Sequence, residues 1–222
     1  MAPGTPISIT ALPLPAYVKE FYAKFAHLTP IQQKAVSAGL LEGKSLLVCA
    51  PTASGKTLVA TMAITSALAQ GGKALYVVPL KALASEKYKE YQQLFEHSTY
   101  KVILSTGEVD SQSDYLARYD VLILTTEKLD SLLRHRVSWL GTVKTVVIDE
   151  IHLLNDPGRG PTVEIILTLL KILLQPQLIA LSATIGNPKE LASWLQAELV
   201  QDSWRPVELK QGIRQGERIE FY

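Results

Sequence analysis

The sequence predicts an α/β protein built on a mostly parallel β-sheet with helices on both faces. Two observations carry this. Six short runs are continuously apolar and rich in branched residues instead of alternating, as expected of strands buried on both sides. Segments of helical character lie between most of them, and strand, helix, strand in repetition implies parallel strands joined by crossover helices.

The strand runs are 46–50, 74–79, 102–105, 121–125, 145–149 and 178–182. Helical character marks 58–70, closed by Gly71 and Gly72, and 82–95. A helical segment at 16–25 precedes the first strand and another at 188–196 follows the last. The stretch 207–222 has a short strand-like start, then turns polar around Gly212 and Gly216. No repeat, low-complexity block or internal linker divides the chain. It therefore reads as an N-terminal segment, 1–27, proline-rich and then helical; one domain, 28–206; and the start of a connection to a further domain, 207–222.

Composition narrows the class. The 222 residues are 47% hydrophobic, enough for a packed core and unlike disordered or fibrous chains. Basic and acidic residues nearly cancel, 22 against 21, for a formal charge of +1, so any contact with a polyanion must be local. The single cysteine, Cys49, sits in an apolar run and makes neither a disulfide framework nor a zinc cluster. The N-terminus lacks the basic-then-apolar layout of a secretory signal. The longest apolar run, 165–174, is about half a membrane span and contains Lys171. These features predict a soluble, cytoplasmic protein.

In a parallel sheet, ligands bind at the carboxyl ends of the strands. Directly after the first strand come Ala50, Pro51, Thr52, Ala53, Ser54, Gly55, Lys56 and Thr57, and then a helix. The backbone amides of such a loop and the helix N-terminus cradle phosphates, Lys56 neutralises the outer ones, and the Thr57 hydroxyl is placed to ligate magnesium. Ala50 stands where the usual pattern has glycine, but Gly55-Lys56-Thr57 is intact and the strand-loop-helix context is the one the motif demands. The loop implies a bound nucleotide with Mg2+.

The run 145–148 ends in Asp149, Glu150, Ile151 and His152. Two acids at the end of a buried strand are costly unless a positive group satisfies them. Downstream of a phosphate loop, Asp149 is expected to hold the metal and Glu150 to orient and deprotonate the attacking water. His152 reads either as a hydrogen-bonded histidine at a helix start or as a residue coupling the site to its surroundings.

The phosphate loop, Asp149-Glu150-Ile151-His152 and Ser182-Ala183-Thr184 resemble, in order and strand-end placement, the first three motifs of superfamily 2 helicases. The runs 72–84 and 125–132, Ile185-Gly186-Asn187, and Trp204-Arg205-Pro206-Val207 resemble the superkiller-like branch. Within it the chain looks most like archaeal DNA-repair helicases of the Hjm type, from about Leu28 onward. The resemblance implies a RecA-like P-loop domain, the first of two that clamp ATP between them, with Lys56, Asp149 and Glu150 as catalytic residues. It implies that Gln32, in Leu28-Thr29-Pro30-Ile31-Gln32, reads adenine. It also implies that Pro79, Leu80, Lys81, Thr106, Gly107, Thr125 and Thr126 contact the phosphate backbone of a loaded single strand. Ser182, Thr184 and His152 would couple nucleotide to strand, although a plain Ser/Thr-rich strand end is an alternative. The segment after Gly107 departs from the pattern: Glu108-Val109-Asp110 stands where an aspartate and an aromatic residue are expected. Arg159-Gly160-Pro161-Thr162 recurs in the branch and reads as structural.

The resemblance implies a helicase working 3′ to 5′ on single-stranded or forked DNA in repair or replication restart. An RNA helicase of the same branch is the alternative. A non-catalytic nucleic-acid-binding module would be expected to lose one of Lys56, Thr57, Asp149 and Glu150, and all are present. A phosphotransferase would leave the Ser-Ala-Thr and Thr-Thr-Glu-Lys segments unexplained. No arginine-bearing motif of a second motor domain follows Thr184, so the chain alone is expected to turn ATP over poorly.

Overall fold

The computed structural model describes residues 6–107, 113–183, 185–208, 210, 212–216 and 218–221. In chain order the elements are α1 (Ala16–Phe21), α2 (Pro30–Ser37), β1 (Leu46–Cys49), α3 (Lys56–Ala69), β2 (Lys73–Val78), α4 (Lys81–Phe95), β3 (Val102–Ser105) and β4 (Val121–Thr125). There follow α5 (Thr126–Arg134), β5 (Val143–Ile148), α6 (Gly160–Leu173), β6 (Gln177–Ser182), α7 (Pro188–Leu195), β7 (Glu198–Gln201), β8 (Gly212–Gln215) and β9 (Arg218–Phe221).

β1 to β7 form one sheet in the order β3-β4-β2-β5-β6-β1-β7, and every pairing is parallel. The period-two alternation of a strand divides its side chains between two cores. Leu46 and Val48 of β1 and Tyr76 of β2 pack toward Val18, Ile31, Ile64 and Tyr91 of α1 to α4. Leu47 and Cys49, with Leu75 and Val77, pack toward Leu129, Leu132, Ile166, Leu170 and Ala192 of α5 to α7. Both faces are covered, so the central strands carry no polar alternation.

α3 is apolar nearly all round because it lies between the sheet and α2 and α4. Its two buried threonines return their hydroxyls to the helix: Thr61 Oγ1 donates to Thr57 O at 3.1 Å and Thr65 Oγ1 to Thr61 O at 2.8 Å. The N-terminal segment belongs to the same core. Ile9, Leu12, Leu14, Val18 and Tyr22 are all buried in it, and Leu28 N donates to Ile7 O at 2.9 Å.

All six expected strands are present with ends within two residues. The sheet has a seventh, β7, whose exposed Glu198 and Gln201 leave no continuous apolar run. α2, α5 and α6 were not delimited from the sequence, and α1 ends at Phe21, short of the expected 25. The C-terminal stretch also differs. Residues 207 and 208 are exposed and not extended in a sheet, while β8 and β9 form an antiparallel hairpin turning at Gly216, φ 63°.

Candidate nucleotide and nucleic-acid site

β5, β6 and β1 are neighbours in the sheet, and their register sets Ile148 beside Ala180 and Cys49 beside Ser182. The phosphate loop, the acid pair and Ser182 therefore meet at one carboxyl edge. The loop is tied into that edge by Ala50 N, which donates to Ser182 O at 3.2 Å. Left-handed residues at Ala53 (φ 64°) and Gly55 (φ 97°) fold it over the start of α3. Leu58 N donates to Gly55 O at 3.2 Å, and the amides of Lys56 and Thr57 ahead of it are the donors that a helix N-terminus offers an anion.

Lys56 Nζ donates to Ala50 O at 2.6 Å and to Pro51 O at 3.0 Å. Burial pulls its ammonium below the ordinary lysine value, against the opposite pull of the Glu150 and Asp149 carboxylates. Those two carboxylates are thus near enough to act on Lys56 electrostatically. Asp149 is fixed by Tyr76, whose hydroxyl donates to Oδ2 at 2.8 Å, and by Glu150 N, which donates to Oδ1 at 3.0 Å. Glu150 sits in the left-handed region, φ 54° and ψ 43°, at the turn that follows β5. Its Oε2 lies 3.2 Å from His152 Nδ1, within ion-pair range but off the hydrogen-bond line, so that buried ring nitrogen has no hydrogen-bond partner among the described residues. Thr57 Oγ1 accepts from Lys87 Nζ at 3.1 Å, and Lys87 is paired with Glu90 at 2.9 Å.

α2 grips the phosphate loop. Gln32, 5% exposed, accepts from Thr29 N at 2.8 Å through Oε1 and donates to Gly55 O at 3.0 Å through Nε2. Thr29 Oγ1 donates to Ser54 O at 2.8 Å. A Cβ on Gly55 would run into the Gln32 amide. Gln32 thus braces the loop while also lining a cleft of about 400 Å³ beside it, with Tyr22, Phe25, Thr29, Trp204 and Pro206 on its other sides. Sequence reasoning did not place Tyr22, Phe25 or Trp204 at the site. Phe25 and Trp204 are large aromatics left exposed, at 52% and 40%, and like the buried Tyr22 they sit in segments that no sequence pattern links to the loop.

The other half of the same edge is made by β3, β4 and β2. Pro79 and Leu80 link β2 to α4, where Lys81 is the first helical residue, and Leu80 and Lys81 are exposed. Thr106 and Gly107 follow β3, half-buried, with Gly107 at φ 117°. Thr125 ends β4 and Thr126 opens α5, and both side chains are buried. Ser182 is fully buried, its hydroxyl without a hydrogen-bond partner among the described residues. Thr184 and residues 108–110 lie outside the described residues.

An all-parallel sheet with a lysine-bearing phosphate loop on one strand and an acid pair on a near neighbour defines a RecA-like P-loop domain of the helicase kind. Residues 29–191 match the DEAD/DEAH box helicases, and the chain belongs to that family. It is 49% identical over 222 residues to the ATP-dependent DNA helicase Hel308 of Methanocella arvoryzae, covering 97% of this chain and 30% of that protein. To the Hel308 of Pyrococcus abyssi it is 53% identical over 187 residues, 84% of this chain and 26% of that protein. Among solved structures it is similar to the DUF1998 helicase MrfA bound to DNA, with TM-score 0.73 and 25% identity over 90% of this chain and 30% of that one. The chain therefore spans less than a third of each of these relatives. Among the described residues no helix is long and apolar enough to cross a membrane.

Proposed function

We propose that this chain is the ATP-binding first motor domain of an ATP-dependent DNA helicase, working 3′ to 5′ on single-stranded or forked DNA in repair or replication restart, inside the cell. The observation that carries the reading is the meeting of Lys56, Asp149 and Glu150 at one carboxyl edge, beside a second group of strand ends free to meet a nucleic acid. The names of the Hel308 relatives support DNA over RNA.

ATP phosphates lie on the amides of 52–57, and Lys56 exchanges the carbonyls of Ala50 and Pro51 for phosphate oxygens. The residues present fit a magnesium ion. Asp149 keeps carboxylate lone pairs beyond the two its present bonds use, and the Thr57 hydroxyl keeps one beside Lys87. Magnesium binds through one or two protein groups, water and substrate phosphates, which agrees with no cluster of three metal-ligating side chains among the described residues. Bound there, it would neutralise charge building on the phosphates. Glu150 orients the attacking water and takes its proton. His152, at its carboxylate, Ser182, at the end of the adjacent β6, and Thr184 carry the state of the nucleotide toward the strand.

Pro79, Leu80, Lys81, Thr106, Gly107, Thr125 and Thr126 hold the phosphate backbone of the strand, which positions it without reading sequence. With the Thr125 and Thr126 side chains buried, amides at the start of α5 make the contact there. A second RecA-like domain of the same parent chain completes the site, and its arginines supply the rest of the rate.

The test is steady-state ATP hydrolysis by this chain with single-stranded DNA, single-stranded RNA or neither, with Lys56→Ala as control. Turnover near background in every condition is expected. Brisk turnover stimulated by RNA and lost in the variant would overturn both the choice of DNA and the need for a second domain.

A further inference from the structure

Residues 202–206, beyond the last strand of the sheet, lie outside the matched family region. Their arrangement is held by specific bonds. Asp202 N donates to Cys49 O at 3.2 Å, at the strand end that opens into the phosphate loop. The Asp202 carboxylate pairs with Lys34 of α2 at 2.7 Å and accepts from Trp204 N at 2.7 Å, while Lys34 also donates to Gln201 O at 2.9 Å. The helix whose first turn braces the loop through Gln32 thus also fixes the segment carrying Trp204. Beyond it, Trp204 and Pro206 line the same cleft as Tyr22, Phe25 and Gln32.

We propose that Trp204 and Pro206 form the outer wall of the base pocket, so that residues 202–206 are a nucleotide-binding element that accepts a flat purine ring between Trp204 and the aromatic side of Phe25. This rests on the nucleotide reading of the phosphate loop. Three facts point the same way. The cleft, about 400 Å³, has room for a base and opens onto Gly55 and Thr57, where the phosphates would begin. Tyr22, Phe25 and Trp204 among its lining residues are rings of the kind that stack on bases without needing hydrogen bonds. Trp204 keeps 40% of its surface exposed although its backbone is anchored, as a pocket wall does and a core residue does not.

The experiment is calorimetric titration of the chain with ATP and, separately, with inorganic tripolyphosphate, comparing wild type, Trp204→Ala, Trp204→Phe and Lys56→Ala. Trp204→Ala is expected to weaken ATP roughly tenfold, the scale of a lost base–aromatic stack, while leaving tripolyphosphate unchanged, and Trp204→Phe is expected to recover most of the loss. Equal loss of both ligands in Trp204→Ala, or no loss of ATP, would overturn the proposal. Lys56→Ala separates the underlying reading: if it leaves both affinities intact, the phosphate loop itself is misassigned. Should Trp204→Ala fail to fold, tryptophan emission decides the matter. ATP, but not tripolyphosphate, is expected to quench emission in wild type and to lose that quench in Trp204→Phe; an unchanged quench in that variant counts against the pocket.

Discussion

Glu150 holds a left-handed backbone although it carries a Cβ, a conformation that costs about 1 kcal/mol or more and persists where the surroundings demand it. The turn lets Asp149 take Glu150's own amide while Glu150 points its carboxylate at His152. A strained acid beside a second, fully braced acid suits a division of labour between metal holding and proton transfer. Glu150→Gln, in the parent enzyme and in this chain, is therefore expected to keep ATP binding and stop hydrolysis; a matching fall in both, read by titration and phosphate release, would refute the general-base role. Lys56 gives a pH prediction. In the proposed role its ammonium is needed on the phosphates, and burial has lowered its pKa, so affinity for tripolyphosphate should hold at neutral pH and decline on alkalinisation earlier than an ordinary lysine would allow. A titration series in pH, flat until the ordinary lysine range, would contradict that. Cys49 behaves oppositely: burial pushes its thiol up to about 11. Alkylation at pH 8 is expected to be negligible in the folded chain and rapid in denaturant; fast native labelling would mean that β1 opens beside the loop.

At the scale of elements, one glycine fixes how a loop meets a helix. Gly160 opens α6 against the carbonyl of Leu154, which a Cβ would strike, and its amide donates to Asp156 O at 2.8 Å. The structural reading of Arg159-Gly160-Pro161-Thr162 follows from this contact. Gly160→Ala is expected to cost about 1–3 kcal/mol, the usual penalty for overpacking. That would lower the melting temperature by roughly 2–4 °C per kcal/mol for a chain of this size; an unchanged melt would show that the loop following β5 yields freely. Six strands were legible because burial on both faces makes them continuous apolar runs. β7 was not, because its exposed ends, Glu198 and Gln201, leave only two apolar residues in a row, and β8 was not, because its exposed residues leave no pattern. At the site, Lys56, Asp149 and Glu150 were legible from short motifs at strand ends. The brace from Gln32 to Gly55 and the wall made by Trp204 were not, since each joins segments that only the fold brings together.

Across the whole molecule, one edge of one sheet carries both groups of residues, with β5, β6 and β1 presenting the phosphate loop and acids and β3, β4 and β2 presenting the proposed strand contacts. The formal charge of +1 supplies no general attraction for a polyanion, so binding must rest on amides, hydroxyls and few cations. That has a measurable signature. Each phosphate neutralised by a cation contributes about 0.7 to the slope of log affinity against log salt for a single strand. With Lys81 as the one cation among the proposed contacts, the slope for this chain should be shallow, of magnitude about 0.7. Lys81→Ala should reduce it by about 0.7, alike for strands of different sequence. A slope several times steeper, or one indifferent to Lys81, would place the nucleic acid on another surface and leave the carboxyl edge to the nucleotide alone.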